Sequence, residues 1–169
     1  SDRNGRCRDK WSILMNTYNQ ISQFTLRQGV TLVAVSKTKP IEAIQQMYDQ
    51  GQRVFGENRV QELEEKYRAL PKDIQWHLIG HLQKNKVKYI APFVSMTHSV
   101  DSLELLEIIN KEAVKADRII SVLLQFYIAK EDTKFGLSEA EGLALLDQLK
   151  EKPLTNIKIC GVMGMASFS

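Results

Sequence analysis

The sequence predicts an α/β fold built on a parallel sheet, either a small (β/α) barrel or a doubly wound sheet. Three observations carry that prediction. From residue 31 onward, short β-rich runs alternate with helical patterns, as in βα units. Several of the runs are apolar almost throughout, as strands covered on both faces are. The segments between them carry helix start signals. At about 23 residues per unit the repeat is compact beside the roughly 30 of a common barrel unit, so the pattern alone does not decide closure.

Six strands are expected, at residues 31–36 (TLVAVS), 52–55 (QRVF), 75–79 (QWHLI), 93–99 (FVSMTHS), 119–128 (IISVLLQFYI) and 157–163 (IKICGVM). Ahead of them, residues 10–28 read as a helix, with Trp11, Leu14, Met15, Tyr18, Ile21 and Phe24 spaced to pack on a neighbour. After Asn58, the residues Val60, Leu63, Tyr67 and Leu70 recur at three- and four-residue steps, giving one apolar stripe that Pro71 closes. Glu62, Glu64, Glu65, Lys66 and Arg68 are assigned to the solvent side of that helix. Asp101 with Glu104, and Ser138 with Glu141, have the spacing of a capping box and mark two further helix starts.

A length of 169 residues fits one domain, or part of a larger one, taken here as a single domain over 1–169 with an N-terminal helix region (1–30) and βα units (31–169). Apolar residues make up 43% and charged residues 25%, which allows a packed core and argues against disorder. The 23 Lys and Arg against 20 Asp and Glu leave +3, too small a bias to argue for nucleic acid or an anionic membrane. Cys7 and Cys160 lie at opposite ends with no CxxC pair, which supports neither a disulfide framework nor zinc, and the apolar runs are far short of the roughly 20 residues of a membrane helix. A cytoplasmic location is expected. The sequence begins at Ser1 rather than at an initiator Met.

Three segments can carry chemistry. AVSKTKP (34–40) places Lys37 at the carboxyl end of the first strand, on the face of Val33 and Val35 if alternation persists. Active sites of α/β folds lie at that end, and a desolvated lysine loses its proton more easily and can attack an aldehyde to form a Schiff base. Lys39 competes on parity, but Pro40 pushes it into an extended turn, and a solvated lysine is the plain alternative for both. In FGENRVQE (55–62), Gly56 allows close backbone approach, and Glu57 or Asn58 can aim a polar group from the same rim; the plain alternative is helix capping by Asn58. In WHLIGHLQKNK (76–86), His77 and His81 would suit a metal only on a continuous helix, which Gly80 argues against, so no metal is expected. Phosphate loops of the GxGxxG or GxxxxGK[ST] kind are absent, and Cys160 is assigned to the core.

The ordered set AVSKTKP, FGENRVQE, WHLIGHLQKNK, HSVDS, LLQFYIAKEDTKFG and GVMGM closely resembles the YggS/PROSC-type pyridoxal phosphate homeostasis proteins over about residues 30–165. These are similar to the barrel domain of alanine racemase, a fold-type III pyridoxal phosphate (PLP) enzyme, without its second domain. The resemblance implies a TIM-like (β/α) barrel, with PLP held as a Schiff base on Lys37 and with Asn58, His77 and Met163 lining its pocket. It further implies a role in PLP homeostasis without established turnover. The partners implied are PLP, and PLP-dependent enzymes or amino acids, with no nucleic acid or membrane, on a monomer or weak dimer. A PLP-dependent racemase-like activity or a Schiff-base lyase is the alternative. The family continues through two more βα units that build its phosphate cup, so this barrel is expected to lack its last two units here and the protein to continue past Ser169.

Overall fold

The computed structural model describes residues 3–128 and 135–165. Residues 129–134, part of the LLQFYIAKEDTKFG stretch, and residues 166–169 lie outside the described residues. Two compact units divide the chain, Ser1–Val33 and Ala34–Ser169. The first holds one helix, α1 (Arg3–Arg27), which begins earlier than the apolar periodicity indicates. It ends where Gly29 turns left-handed at φ 65, with Gly29 N–H donating to the Leu26 carbonyl and Val30 N–H to the Thr25 carbonyl. That is the Schellman closure, whose left-handed position favours a residue without a Cβ.

In the second unit all six expected strands are present: β1 (Ala34–Val35), β2 (Val54–Glu57), β3 (Gln75–Leu78), β4 (Met96–Val100), β5 (Ile120–Tyr127) and β6 (Ile157–Met165). They alternate with α2 (Ile41–Asp49), α3 (Val60–Ala69), α4 (Val87–Ile90), α5 (Leu103–Lys115) and α6 (Glu139–Glu151). Every pairing is parallel and the order is β1-β2-β3-β4-β5-β6. A doubly wound sheet reverses its strand order at a switch point, whereas a barrel sheet advances by one neighbour at each step. The sequential order therefore selects the (β/α)-barrel type. Within the described residues, β1 pairs only with β2 and β6 only with β5.

Strand bounds differ from the sequence reading for local reasons. β1 keeps two residues of the expected six, Ala34 and Val35, which pair with Phe55 and Gly56. β2 starts at Val54, whose carbonyl accepts from the Gln52 side chain, and it runs on through Gly56 and Glu57, which pair with β3. Phe93 and Val94 precede β4 in the turn closing α4, their N–H groups donating to the Ile90 carbonyl.

Register partners share a face. Phe55, Trp76, Leu78, Val122 and Leu124 are buried in one cluster with Ile44 of α2, Leu63 of α3, Leu105 and Ile109 of α5, and Leu145 of α6. This is the helix-covered face. Val35, Gly56, His77 and Met96 form one row across the opposite face. α3 keeps its expected stripe, with Val60, Leu63 and Leu70 buried and Tyr67 stacked on Phe93 at 3.9 Å. Lys66 departs from its solvent assignment: only 5% of its side chain is exposed. One helical turn from Leu63, it lies at the edge of the apolar stripe.

The capping box at Ser138 and Glu141 forms in both directions. At α5 the cap is Ser102 rather than Asp101, its hydroxyl accepting from Leu105 N–H at 3.1 Å. Cys160, assigned to the core, is exposed: Ile159 packs on the helix-covered cluster, so its neighbour Cys160 points to the opposite face of β6. No helix among the described residues is long and apolar enough to cross a membrane.

Candidate functional site

Six parallel strands place six carboxyl ends on one rim. At the first, β1 stops at Val35 and the chain turns through Ser36, Lys37 and Thr38. The strand does not persist to Lys37, so the parity argument for its direction lapses; the turn sets it instead. Thr38 sits at φ 64, a left-handed conformation that costs a non-glycine residue energy and persists only when its surroundings hold it.

What holds it is α3. The Lys66 ammonium donates to the Ser36 carbonyl at 2.7 Å, to Glu62 Oε1 at 2.7 Å and to Glu57 Oε1, so its three N–H donors all have acceptors. Ser36 Oγ also donates to Glu57 Oε1 at 2.8 Å, and Thr38 N–H donates to Glu62 Oε1 at 2.6 Å. The backbone is thus tied to α3 on both sides of Lys37, while the Lys37 side chain is exposed. Glu57 is fully buried on the helix-covered face, and its Oε2 has no hydrogen-bond partner among the described residues. Burial pushes the Glu57 carboxyl up, while Lys66 and Ser36 pull it back in part. The Lys66 ammonium, and next the Thr38 N–H, hold Glu62 below the usual carboxylate range.

Asn58 follows β2, across from Lys37 by the register that pairs Val35 with Gly56. It does not cap α3: the N-cap position is Arg59, and no side chain closes it. Asn58 instead lines a cavity of about 240 Å³ on the rim, together with Ile79, Gly80, Ser99, Gln125 and Met165. Gly80 is explained by close approach, since a Cβ there would lie 2.2 Å from the Asn58 carbonyl oxygen and 2.7 Å from its Oδ1. Gly80→Ala is expected to cost about 1–3 kcal/mol, as overpacking does, and to lower the urea midpoint. An unchanged midpoint would mean that the Asn58 backbone yields freely.

His77 lies one step down β3 and does not line that cavity. Its Nδ1 is 2.9 Å from Nε2 of His98 on β4, with the rings edge to face. Burial, and secondarily the charge of His98, push His77 down to about 4, and burial lowers His98 as well. Both rings are neutral at pH 7, one donating to the other. Because the folded-state value lies below the ordinary 6.5, the unfolded chain takes up the proton first as pH falls. Stability is therefore expected to be fully present above about pH 6.5 and to drop toward pH 4, by on the order of 3 kcal/mol in all. Urea unfolding over that range reads the slope, and His77→Phe should flatten it; an equal slope in the variant would exclude the pair as its source.

Met163 pairs in register with Gln125, and Met165, two residues further along the same face, lines the cavity. The rim thus brings together Asn58, Gln125 and Met165, with the Lys37 turn at the neighbouring strand end. A larger hollow of about 620 Å³, lined by Leu103, Glu107, Gln148 and Leu149 among others, involves α5 and α6 and none of these rim residues. Glu57, offered by the sequence beside Asn58 as a rim group, is instead buried on the helix-covered face, while Glu62, Lys66 and His98 acquire their places only in the fold.

A sequentially wound parallel sheet, with a lysine presented at the carboxyl end of its first strand and a polar rim beside it, defines a domain of the (β/α)-barrel type with an exposed amine on its rim. Residues 12–169 match the model of the alanine racemase N-terminal domain. The pyridoxal phosphate homeostasis protein of Aquifex aeolicus is 41% identical over 133 residues, which is 78% of this chain and 58% of that protein. PipY of Synechococcus elongatus PCC7942, in its structure with PLP bound, superposes with a TM-score of 0.74 at 38% identity over 87% of this chain and 70% of that one. Alanine racemase of Clostridium difficile 630 shares the fold, at a TM-score of 0.63 and 16% identity over 80% of this chain and 36% of that one. The chain belongs to the alanine racemase N-terminal domain family and, within it, to the pyridoxal phosphate homeostasis proteins. It spans 58% of the length of the Aquifex relative.

Proposed function

We propose that this chain binds PLP at the carboxyl rim of its sheet, through a Schiff base on Lys37, and serves PLP homeostasis as a carrier rather than as a racemase. The observation that carries the reading is the Lys37 turn: an exposed primary amine whose two flanking residues are anchored by a buried ion network. The residues fit the ring and aldehyde end of PLP. An amine stands at one strand end and, at the next, a cavity offers the Asn58 and Gln125 amides and the Ser99 hydroxyl, which donates to the Ile79 carbonyl at 3.2 Å. When bound, PLP supplies an aldehyde whose carbon joins the Lys37 nitrogen with loss of one water.

Carrier function asks for a linkage that forms and reverses. An exposed amine on a fixed turn permits both, because water and competing amines reach it. The homeostasis name of the Aquifex protein and the PLP-bound structure of PipY support the same reading. Racemisation asks for more, namely acid and base groups on both faces of the reacting carbon. The neutral His77 and His98 rings are hydrogen-bonded to one another.

The test is incubation of the chain with PLP, borohydride reduction and peptide mass spectrometry. The expected result is a single pyridoxyl adduct on Lys37. Adducts scattered over exposed lysines, or none, would remove the reading.

A further inference from the structure

We propose that Glu62 is the positioning residue for Lys37, acting through the Thr38 amide, with Lys66 holding its carboxylate in place. The proposal rests on the reading of Lys37 as the PLP-linking amine and deepens it. An exposed lysine side chain has four rotatable bonds and no fixed aim of its own, so the backbone beneath it decides where the amine can reach. Here that backbone contains a left-handed Thr38, a state that a free chain abandons readily.

Two anchors oppose that loss. On the amino side, the Ser36 carbonyl accepts from Lys66, and the Ser36 N–H donates to the Gly56 carbonyl at 2.9 Å. On the carboxyl side, Thr38 N–H has the Glu62 carboxylate at 2.6 Å. The same Glu62 oxygen takes the Lys66 bond one helical turn along α3, so a single atom couples the turn to the buried cation. Lys66 stays paired with Glu57 and Ser36 without Glu62, whereas Thr38 N–H has no other acceptor among the described residues. Glu62 is also the partly exposed member, with 26% of its side chain open, so its truncation leaves no buried charge without a partner. It can be removed without dismantling the network.

The test uses the 169-residue chain as wild type, Glu62→Ala and Glu62→Gln, with two readouts. One is amide hydrogen exchange at Thr38 without PLP; the other is the rate at which Lys37 acquires the borohydride-trapped adduct. In Glu62→Ala, Thr38 exchange is expected to quicken and Lys37 labelling to slow, each by about tenfold or more, the scale of one hydrogen bond to a charged group. Glu62→Gln keeps an acceptor oxygen and should retain Thr38 protection and label within about threefold of wild type, a rescue by geometry without charge.

Wild-type labelling in Glu62→Ala with Thr38 deprotected would overturn the positioning role while leaving the PLP reading intact. Unchanged Thr38 exchange in that variant would overturn it at its first step. Absence of a Lys37 adduct in the wild type defeats the PLP reading, and the proposal with it, before any variant is compared. If circular dichroism shows that Glu62→Ala does not fold, Glu62→Gln decides: slow labelling despite a protected Thr38 overturns the proposal, and near-wild-type labelling supports it.

Discussion

Lys37→Ala is expected to eliminate the borohydride-stable PLP adduct altogether while leaving the unfolding midpoint within about 0.5 kcal/mol of wild type, as befits an exposed side chain. The two halves of that result belong together. The ion network beneath the turn uses the Ser36 carbonyl and the Thr38 N–H, which survive the substitution, and nothing from the Lys37 side chain. Lys39→Ala is the matched control: Lys39 is exposed two residues on, with its N–H donating to the Ser36 carbonyl, and its loss should leave the adduct on Lys37. An adduct that moves to Lys39 in the Lys37 variant would mean that the rim attracts PLP without selecting one amine. The same pair of proteins separates carrier from enzyme. Amino-acid turnover by the wild type with added PLP, lost in Lys37→Ala, would replace the homeostasis reading with a catalytic one, whereas an adduct without turnover supports the carrier.

The six strands and the rim were legible because they rest on local signals: β-rich runs, the capping box at Ser138 and Glu141, and Gly80 after β3. Strand order was not legible in these signals, since alternation alone fits a barrel and a doubly wound sheet equally; the motif resemblance implied the barrel type, and the sequential pairing from β1 onward agrees with it. The Lys66 misassignment is instructive. A helix pattern read by hydropathy sends every lysine to solvent, yet Glu57 lies two residues after Phe55 on a strand and therefore faces the helices. A carboxylate on the covered face needs a cation, and a lysine three residues past Leu63 is where α3 can supply one. That signal was present in FGENRVQELEEK and is readable only once the strand's covered face is known. The His77 pairing could not be found in the same way, because it depends on β4 lying beside β3. Reading His77 against His81 compares neighbours in sequence, whereas the partner, His98, is 21 residues away.

Lys66→Met should then be the most destabilising change at the site. It leaves Glu57 fully buried with only the Ser36 hydroxyl as donor and releases the Ser36 carbonyl and Glu62 together. Breaking a buried pair from one side costs about 3–5 kcal/mol, because the remaining charge has lost its partner. The dependence on pH identifies the cause. Burial already raises the Glu57 carboxyl in the folded state, and loss of Lys66 removes the largest influence opposing that rise. A carboxyl whose folded value lies above its unfolded value binds more protons when folded, so the variant's deficit should shrink as pH falls through the Glu57 range and grow as pH rises above it. Urea unfolding at pH 5 and pH 7 measures the difference, and Glu57→Gln on the Lys66→Met background should recover a large part of the loss at pH 7 by making the buried group neutral. A deficit below about 1 kcal/mol at pH 7, the range of exposed pairs, would show that water reaches Glu57 and that the turn bearing Lys37 is held by something other than this network.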